Sequence, residues 1–212
     1  MINQYSKTPF SFGIACFSKC LTLVRHGQSI ANAGLPIHCT YSQYPITELG
    51  RKQAFDFANS IKDPPDIIYA SSFLRTQQTS IPLRKKFPFV PFRIDARLRA
   101  FTYLDKPYYG PLRYSRKDHI KGYWDKQDPY FYDGKETESF HDFYQRAISF
   151  LDSLKERKEN NIIAFTHSMF VRFTEVYLSH PNDSIELFMK NYSQYRQWRK
   201  VKNGEAVTFV IN

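Results

Sequence analysis

Leu21-Thr22-Leu23-Val24-Arg25-His26-Gly27-Gln28-Ser29 is a short apolar strand that runs straight into a charged turn. An apolar run rich in β-formers, ended abruptly by two charged residues and a glycine, predicts a buried strand emptying into a loop at its carboxyl end. In open α/β sheets ligands bind along that edge. Gly27 lets the backbone come close to a ligand. Arg25 offers a rigid fork of donors suited to phosphate oxygens, and His26 carries a ring nitrogen that is nucleophilic near neutral pH.

Three residues are a weak motif by themselves, but the chain repeats the pattern. Asp66-Ile67-Ile68-Tyr69-Ala70 reads as a second short strand. It is followed by Ser71-Ser72-Phe73-Leu74-Arg75, where a serine N-cap opens a helix with Arg75 in its first turn. Asn161-Ile162-Ile163-Ala164-Phe165-Thr166 reads as another strand and delivers His167 at its end. Arg25, His26, Arg75 and His167 are thereby expected along one edge of one sheet. Two arginines and two histidines with no cysteine or carboxylate cluster suit an oxyanion pocket better than a metal site.

Read in order, these blocks resemble the histidine phosphatase superfamily, which also contains the cofactor-dependent phosphoglycerate mutases. The resemblance covers Leu23 to Ser29 with Asn32, then Pro45-Ile46-Thr47-Glu48-Leu49-Gly50 with Gln53-Ala54, then Ser71-Ser72 with Arg75 and Gln78-Thr79, then Glu138-Ser139, and finally Thr166-His167. It implies that His26 is phosphorylated during turnover while Arg25, Arg75 and His167 hold the phosphoryl oxygens. Asn32, Gln28, Ser168 and Arg99 are the candidate substrate-binding side chains; Ser168 stands where the family often has glycine. Metal and organic cofactors are not expected, because fixed cations supply the charge a divalent ion would bring.

One position departs from the pattern. Many members carry a glutamate two residues after a leucine in this region, and it protonates the leaving group. Here Leu98-Arg99 is followed by Ala100, and alanine has no proton to give. Loss of a positioned general acid costs about 10²–10⁴ in rate, so activity is expected to be impaired, with Asp105 and Glu48 the nearest carboxylates in the matching blocks. Such a replacement is what an engineered, substrate-trapping form would carry; a natural binding protein that has lost catalysis is the other origin. The reading is therefore a phosphatase acting on a phosphomonoester or phosphoanhydride of a small anionic metabolite or nucleotide. A phosphoglycerate mutase-type phosphotransferase and a catalytically inactive phosphate-binding module are the alternatives.

The rest of the chain bounds the architecture. Its 212 residues suit one domain. Strands expected at 21–24, 66–70, 89–94 and 161–166 alternate with helical patterns, which predicts a three-layer α/β/α sandwich on a mostly parallel central sheet. Ala54, Phe57, Ala58 and Ile61 recur at helical spacing, as do Phe143, Ala147, Phe150, Leu151 and Leu154 behind Ser139. Asn203-Gly204 reads as a hairpin turn between 197–201 and 206–210. Residues 1–20 are expected to be an extension, and 101–136 an irregular inserted lid. The lid's aromatic residues, including Tyr103, Tyr108, Tyr109, Tyr114, Tyr123 and Trp124, either stack on a substrate or form the lid's own core.

The formal charge of +10 concentrates in 75–99 and 190–202, a surround that favours polyanionic small molecules. Arg84-Lys85-Lys86 suits a helix end, whereas Arg97 and Arg99 are candidates for further phosphates. Nothing resembles a groove-reading nucleic-acid module. Three cysteines without metal-type spacing suggest reduced thiols and a cytoplasmic setting. No run approaches membrane-spanning length, and 10–17 is a poor signal peptide. His38, His119, His141 and His180 match no block.

Overall fold

The computed structural model describes residues 18–105 and 116–211. Five strands form one sheet: β1 (Lys19–Arg25), β2 (Ile67–Ala70), β3 (Phe92–Ile94), β4 (Asn161–Thr166) and β5 (Ala206–Ile211). Their order is β3-β2-β4-β1-β5. The pairs β2–β3, β2–β4 and β1–β4 are parallel, and only β5 runs antiparallel, against β1. The helices are α1 (Ile30–Ala33), α2 (Glu48–Ser60), α3 (Leu74–Lys86), α4 (Arg116–Asp125), α5 (Phe140–Lys155), α6 (Ser168–Ser179) and α7 (Ile185–Trp198).

Alternating strand residues feed two separate cores, as a sheet buried on both faces requires. Leu21, Leu23, Ile67, Tyr69, Ile162 and Ala164 pack on one side with Phe143 and Phe150 of α5 and Phe170 and Phe173 of α6. Val24, Ile68, Ala70, Ile163 and Phe165 pack on the other with Phe57 and Ala58 of α2 and Leu83 of α3. The expected three layers are present, and the parallel strands deliver their carboxyl ends to one edge.

Four local expectations are corrected. No hairpin forms at Asn203-Gly204: residues up to Trp198 are helical, and β5 pairs with β1 instead. Gly204, at φ 75°, makes the turn that brings the chain back to Arg25 and His26. β3 begins at Phe92 rather than near 89, because Pro88 and Pro91 interrupt that stretch and proline brings no ladder donor. The cap of α3 is Phe73, not serine, although Ser71 Oγ accepts the Phe73 N–H at 3.2 Å. Part of the supposedly irregular 101–136 segment is α4, and Tyr103, Tyr123 and Trp124 are buried with Phe101, Phe140 and Tyr192 in the main core.

Tyr130 and Tyr132 of the same segment are exposed, while Tyr108, Tyr109 and Tyr114 lie outside the described residues. Of the expected N-terminal extension, Lys19 and Cys20 belong to β1, and residues 1–17 lie outside the described residues. Arg84, Lys85 and Lys86 occupy the last turn of α3, where cations complement the helix dipole. Among the described residues no helix is long and apolar enough to cross a membrane.

Candidate active site

A cavity of about 150 Å³ opens at the carboxyl edge of the sheet. Arg25 and His26 reach it from the end of β1, Arg75 from the first turn of α3, and His167 and Ser168 from the junction of β4 and α6. Asn32, Tyr41, Tyr44, Ala100 and Phe101 also line it. The convergence expected of four side chains from three strands is thus present.

His26 is 5 % exposed. Its Nδ1 lies 2.7 Å from the Gly27 carbonyl oxygen. A carbonyl can only accept, so Nδ1 carries the proton in the neutral ring and Nε2 keeps the lone pair. Arg75 Nε donates to that Nε2 at 3.3 Å. Burial, then Arg75, then Arg25, hold His26 well below the ordinary histidine range, so the ring is neutral at pH 7. His167 stands with its ring centroid 5.2 Å away at 61°. It shares a 2.9 Å hydrogen bond with Ser71 Oγ, and burial and Arg75 lower its pKa in the same way.

The loop that presents His26 is clamped from several sides. Gly27 and Gly50 face each other so closely that a Cβ on Gly27 would fall 2.4 Å from the Gly50 carbonyl oxygen. Thr79 Oγ1 accepts the Gly27 N–H, and Gln53 Oε1 accepts the Gln28 N–H. From the far end of the chain, the Gly204 N–H and Asn203 Nδ2 both donate to the His26 carbonyl. Gly50, Gln53 and Thr79 belong to the matching blocks; Asn203 has no local signal that could have marked it.

Arg75 is 3 % exposed and held by its neighbours' faces. Its guanidinium carbon sits 4.8 Å from the ring centres of Tyr41 and Phe73, and its Nη1 donates to the Tyr41 carbonyl at 2.8 Å. Arg25 donates from Nη1 to the Val201 carbonyl. Burial and the neighbouring Arg172 and Arg75 lower its pKa to about 10, which leaves it charged at pH 7. Arg172, absent from the sequence reading, donates to Ser168 Oγ at 3.2 Å from one turn along α6. Buried Arg25 Nε and His167 Nδ1 have no hydrogen-bond partner among the described residues, an arrangement with donor capacity to spare for an oxyanion.

Not every candidate reaches the cavity. Gln28 is outside its lining because its amide oxygen accepts from Thr47 Oγ1 at 2.8 Å, which fixes the side chain on the start of α2. Arg99 is drawn instead to the Glu138 carboxylate, which Arg146 also grips through Nε at 2.6 Å and Nη2 at 2.9 Å. Arg97 pairs with Asp95 and the Ser149 carbonyl. Arg146 donates in addition to the carbonyls of Arg97, Arg99 and Ala100, so the Glu138–Arg146 pair fixes the wall segment that carries Ala100.

Asn32 does line the cavity, with Oδ1 accepting from Ser29 and from Asn203 Nδ2. Glu48 is engaged by Arg51 on the surface, and Asp105 lies beside Gly134; neither lines the cavity. Among the described residues no group of His, Cys, Asp and Glu is placed to hold a metal ion.

The histidine phosphatase superfamily (branch 1) matches residues 21–197 of the chain. Three solved structures share the fold at low identity. The alpha-ribazole phosphatase of Shigella flexneri superposes with a TM-score of 0.70 at 21% identity, over 91% of each chain. A phosphoserine phosphatase of Entamoeba histolytica in complex with 3-phosphoglyceric acid gives 0.68 at 20%, over 90% of each chain. A mycobacterial glucosyl-3-phosphoglycerate phosphatase gives 0.66 at 19%, over 90% of this chain and 89% of the other. Among curated sequences, the PE-PGRS family protein PE_PGRS11 of Mycobacterium tuberculosis is 37% identical over 73 residues. That segment is 34% of this chain and 12% of the relative, so the chain spans only a small part of that protein's length.

Proposed function

We propose that this chain, which belongs to the histidine phosphatase superfamily, transfers a phosphoryl group from a small phosphorylated metabolite or nucleotide to His26 and then to water. The observation that carries this reading is the state of His26: neutral, buried, protonated on Nδ1 by the Gly27 carbonyl contact, with the Nε2 lone pair turned to Arg75. That is a nucleophile aimed at a site of fixed positive charge.

In the first step Nε2 attacks phosphorus in line, and the equatorial oxygens are met by Arg25, Arg75 and His167. The amino end of α6, which begins at Ser168 in the cavity wall, adds the positive pole of a helix dipole. In the second step water displaces the phosphoryl group from His26. The three structural neighbours carry names of phosphatases for small phosphorylated metabolites, which favours a substrate of that class. Ala100 occupies the wall where the resemblance puts the acid, and this chain is the impaired, substrate-holding form of such an enzyme.

The test compares phosphate release by this chain, Ala100→Glu and His26→Ala on nucleotides, phosphosugars, phosphoamino acids and activated esters. A gain of about 10²-fold or more in Ala100→Glu, together with acid-labile phosphate on His26 and none in His26→Ala, is the expected result. Tight phosphometabolite binding without turnover in either His26-containing form would make the site a binding module.

A further inference from the structure

Every aspartate and glutamate of the chain lies among the described residues, since neither 1–17 nor 106–115 contains one. None of them lines the cavity. The buried Glu138 and Glu175 and the half-buried Glu205 are committed to arginines: Glu138 to Arg99 and Arg146, Glu175 and Glu205 to Arg199. With Ala100 in the wall, no carboxyl of the cavity lining supplies a proton to the leaving group, and the hydroxyls of the lining are the next donors to weigh.

Four hydroxyls line the cavity among the described residues, those of Ser29, Ser168, Tyr41 and Tyr44. Serine is far too weak an acid; moreover Ser29 Oγ donates to Asn32 Oδ1 at 3.0 Å, and Ser168 Oγ accepts from Arg172. Tyr44 is 3 % exposed, and its burial pushes the phenol up from the ordinary range. Tyr41 differs. It is only partly buried, it lines the cavity together with Arg25, and its ring lies over the Arg75 guanidinium at 4.8 Å. The ring is held edge-on by Tyr44 at 5.3 Å and Phe73 at 5.5 Å.

We infer that Tyr41 is the general acid of this chain, donating its phenolic proton to the leaving oxygen in place of the missing carboxyl. The assignment rests on the phosphohistidine reading above. As the His26 Nε2–P bond forms, the P–O bond breaks, and its electron pair leaves on the oxygen, which takes the Tyr41 proton. The resulting phenolate carries its ring over the Arg75 guanidinium, 4.8 Å from the ring centre. In the second step the phenolate removes a proton from water. The water oxygen bonds to phosphorus as the P–N bond breaks, and that electron pair returns to Nε2.

The experiment measures kcat/KM of this chain and Tyr41→Phe on 4-nitrophenyl phosphate, whose leaving group needs no proton, and on glycerol phosphate, whose leaving group does. The expected result is a loss of about 10²-fold on the alkyl ester with less than about 3-fold on the aryl ester, and a Tyr44→Phe ratio equal to the parent's. In the Ala100→Glu background the Tyr41→Phe penalty on glycerol phosphate should vanish, because a carboxyl then supplies the proton. Equal losses on both esters would make Tyr41 a support for Arg75 and overturn the assignment, as would an unchanged ratio, a ratio moved by Tyr44→Phe, or a penalty that survives in Ala100→Glu. Absence of phosphate on His26 with 4-nitrophenyl phosphate in every form would overturn the phosphatase reading itself, and Tyr41 with it.

Discussion

Acidification should unfold this protein earlier than its carboxylates alone would dictate, because His26 and His167 are both buried, neutral and surrounded by arginines. Their folded-state pKa values are depressed, so between pH 6.5 and 5.5 the unfolded chain binds protons that the folded one refuses. Stability therefore rises with pH across this window and is lost as pH falls. An unfolded histidine with pKa near 6.5, opposed by a folded one that stays neutral, removes about 1 kcal/mol over that single pH unit, and the pair about 2 kcal/mol. Glu138 and Glu205, whose pKa values are lowered by their arginines, give up their contribution only at more acidic pH, as it falls through the carboxylate range.

The assay is denaturant unfolding followed by circular dichroism at pH 7.5, 6.5 and 5.5 in a phosphate-free buffer, on this chain and on the double variant His26→Gln/His167→Gln. The slope of stability with pH should be clearly flatter in the variant. A parent that is equally stable at pH 6.5 and 5.5, or a variant with the parent's slope, would refute the claim that these two rings are neutral in the folded protein.

Two further substitutions probe the scaffold of the site. Gly27→Ala puts a methyl 2.4 Å from the Gly50 carbonyl oxygen, and the backbone around His26 must shift. A cost of about 1–3 kcal/mol with loss of His26 phosphorylation is expected, and wild-type labelling would contradict the clamp. Glu138→Ala leaves the buried Arg146 guanidinium without its carboxylate, at a cost of about 3–5 kcal/mol in denaturant unfolding. A change under 1 kcal/mol would mean that the pair does not hold the Ala100 wall.

The parts of this site that sequence reveals are those in which one local pattern fixes both structure and position. A strand ending in Arg25-His26-Gly27, a strand leading to Arg75, and a strand ending at His167 each state their own geometry, since parallel strands share a carboxyl edge. The direction of Arg99 is not legible in the sequence, because a charged residue beside a site is ambiguous until its partner is known, and Glu138 is distant in sequence. Nothing local in the sequence says that Tyr103, or Tyr123 and Trp124 on α4, belong to the main core rather than to a lid. The hairpin at Asn203-Gly204 failed for a related reason: a turn motif gives the bend but not the strand that will be met after it, and here that strand is β1.

The bonds from Asn203 and Gly204 to the His26 loop also set an order of events in time. The Asn203 side chain and the His26 carbonyl are 177 residues apart, so at about 5–20 residues per second of synthesis the loop waits roughly 9–35 s for its last tether. A nascent chain that has already paired β1, β2 and β4 holds Gly27 through Thr79 and Gln28 through Gln53, but the His26 carbonyl still lacks its donors from Gly204 and Asn203. The last fixing of the His26 loop is thus coupled to the arrival of the segment that leads into β5, a late step of folding.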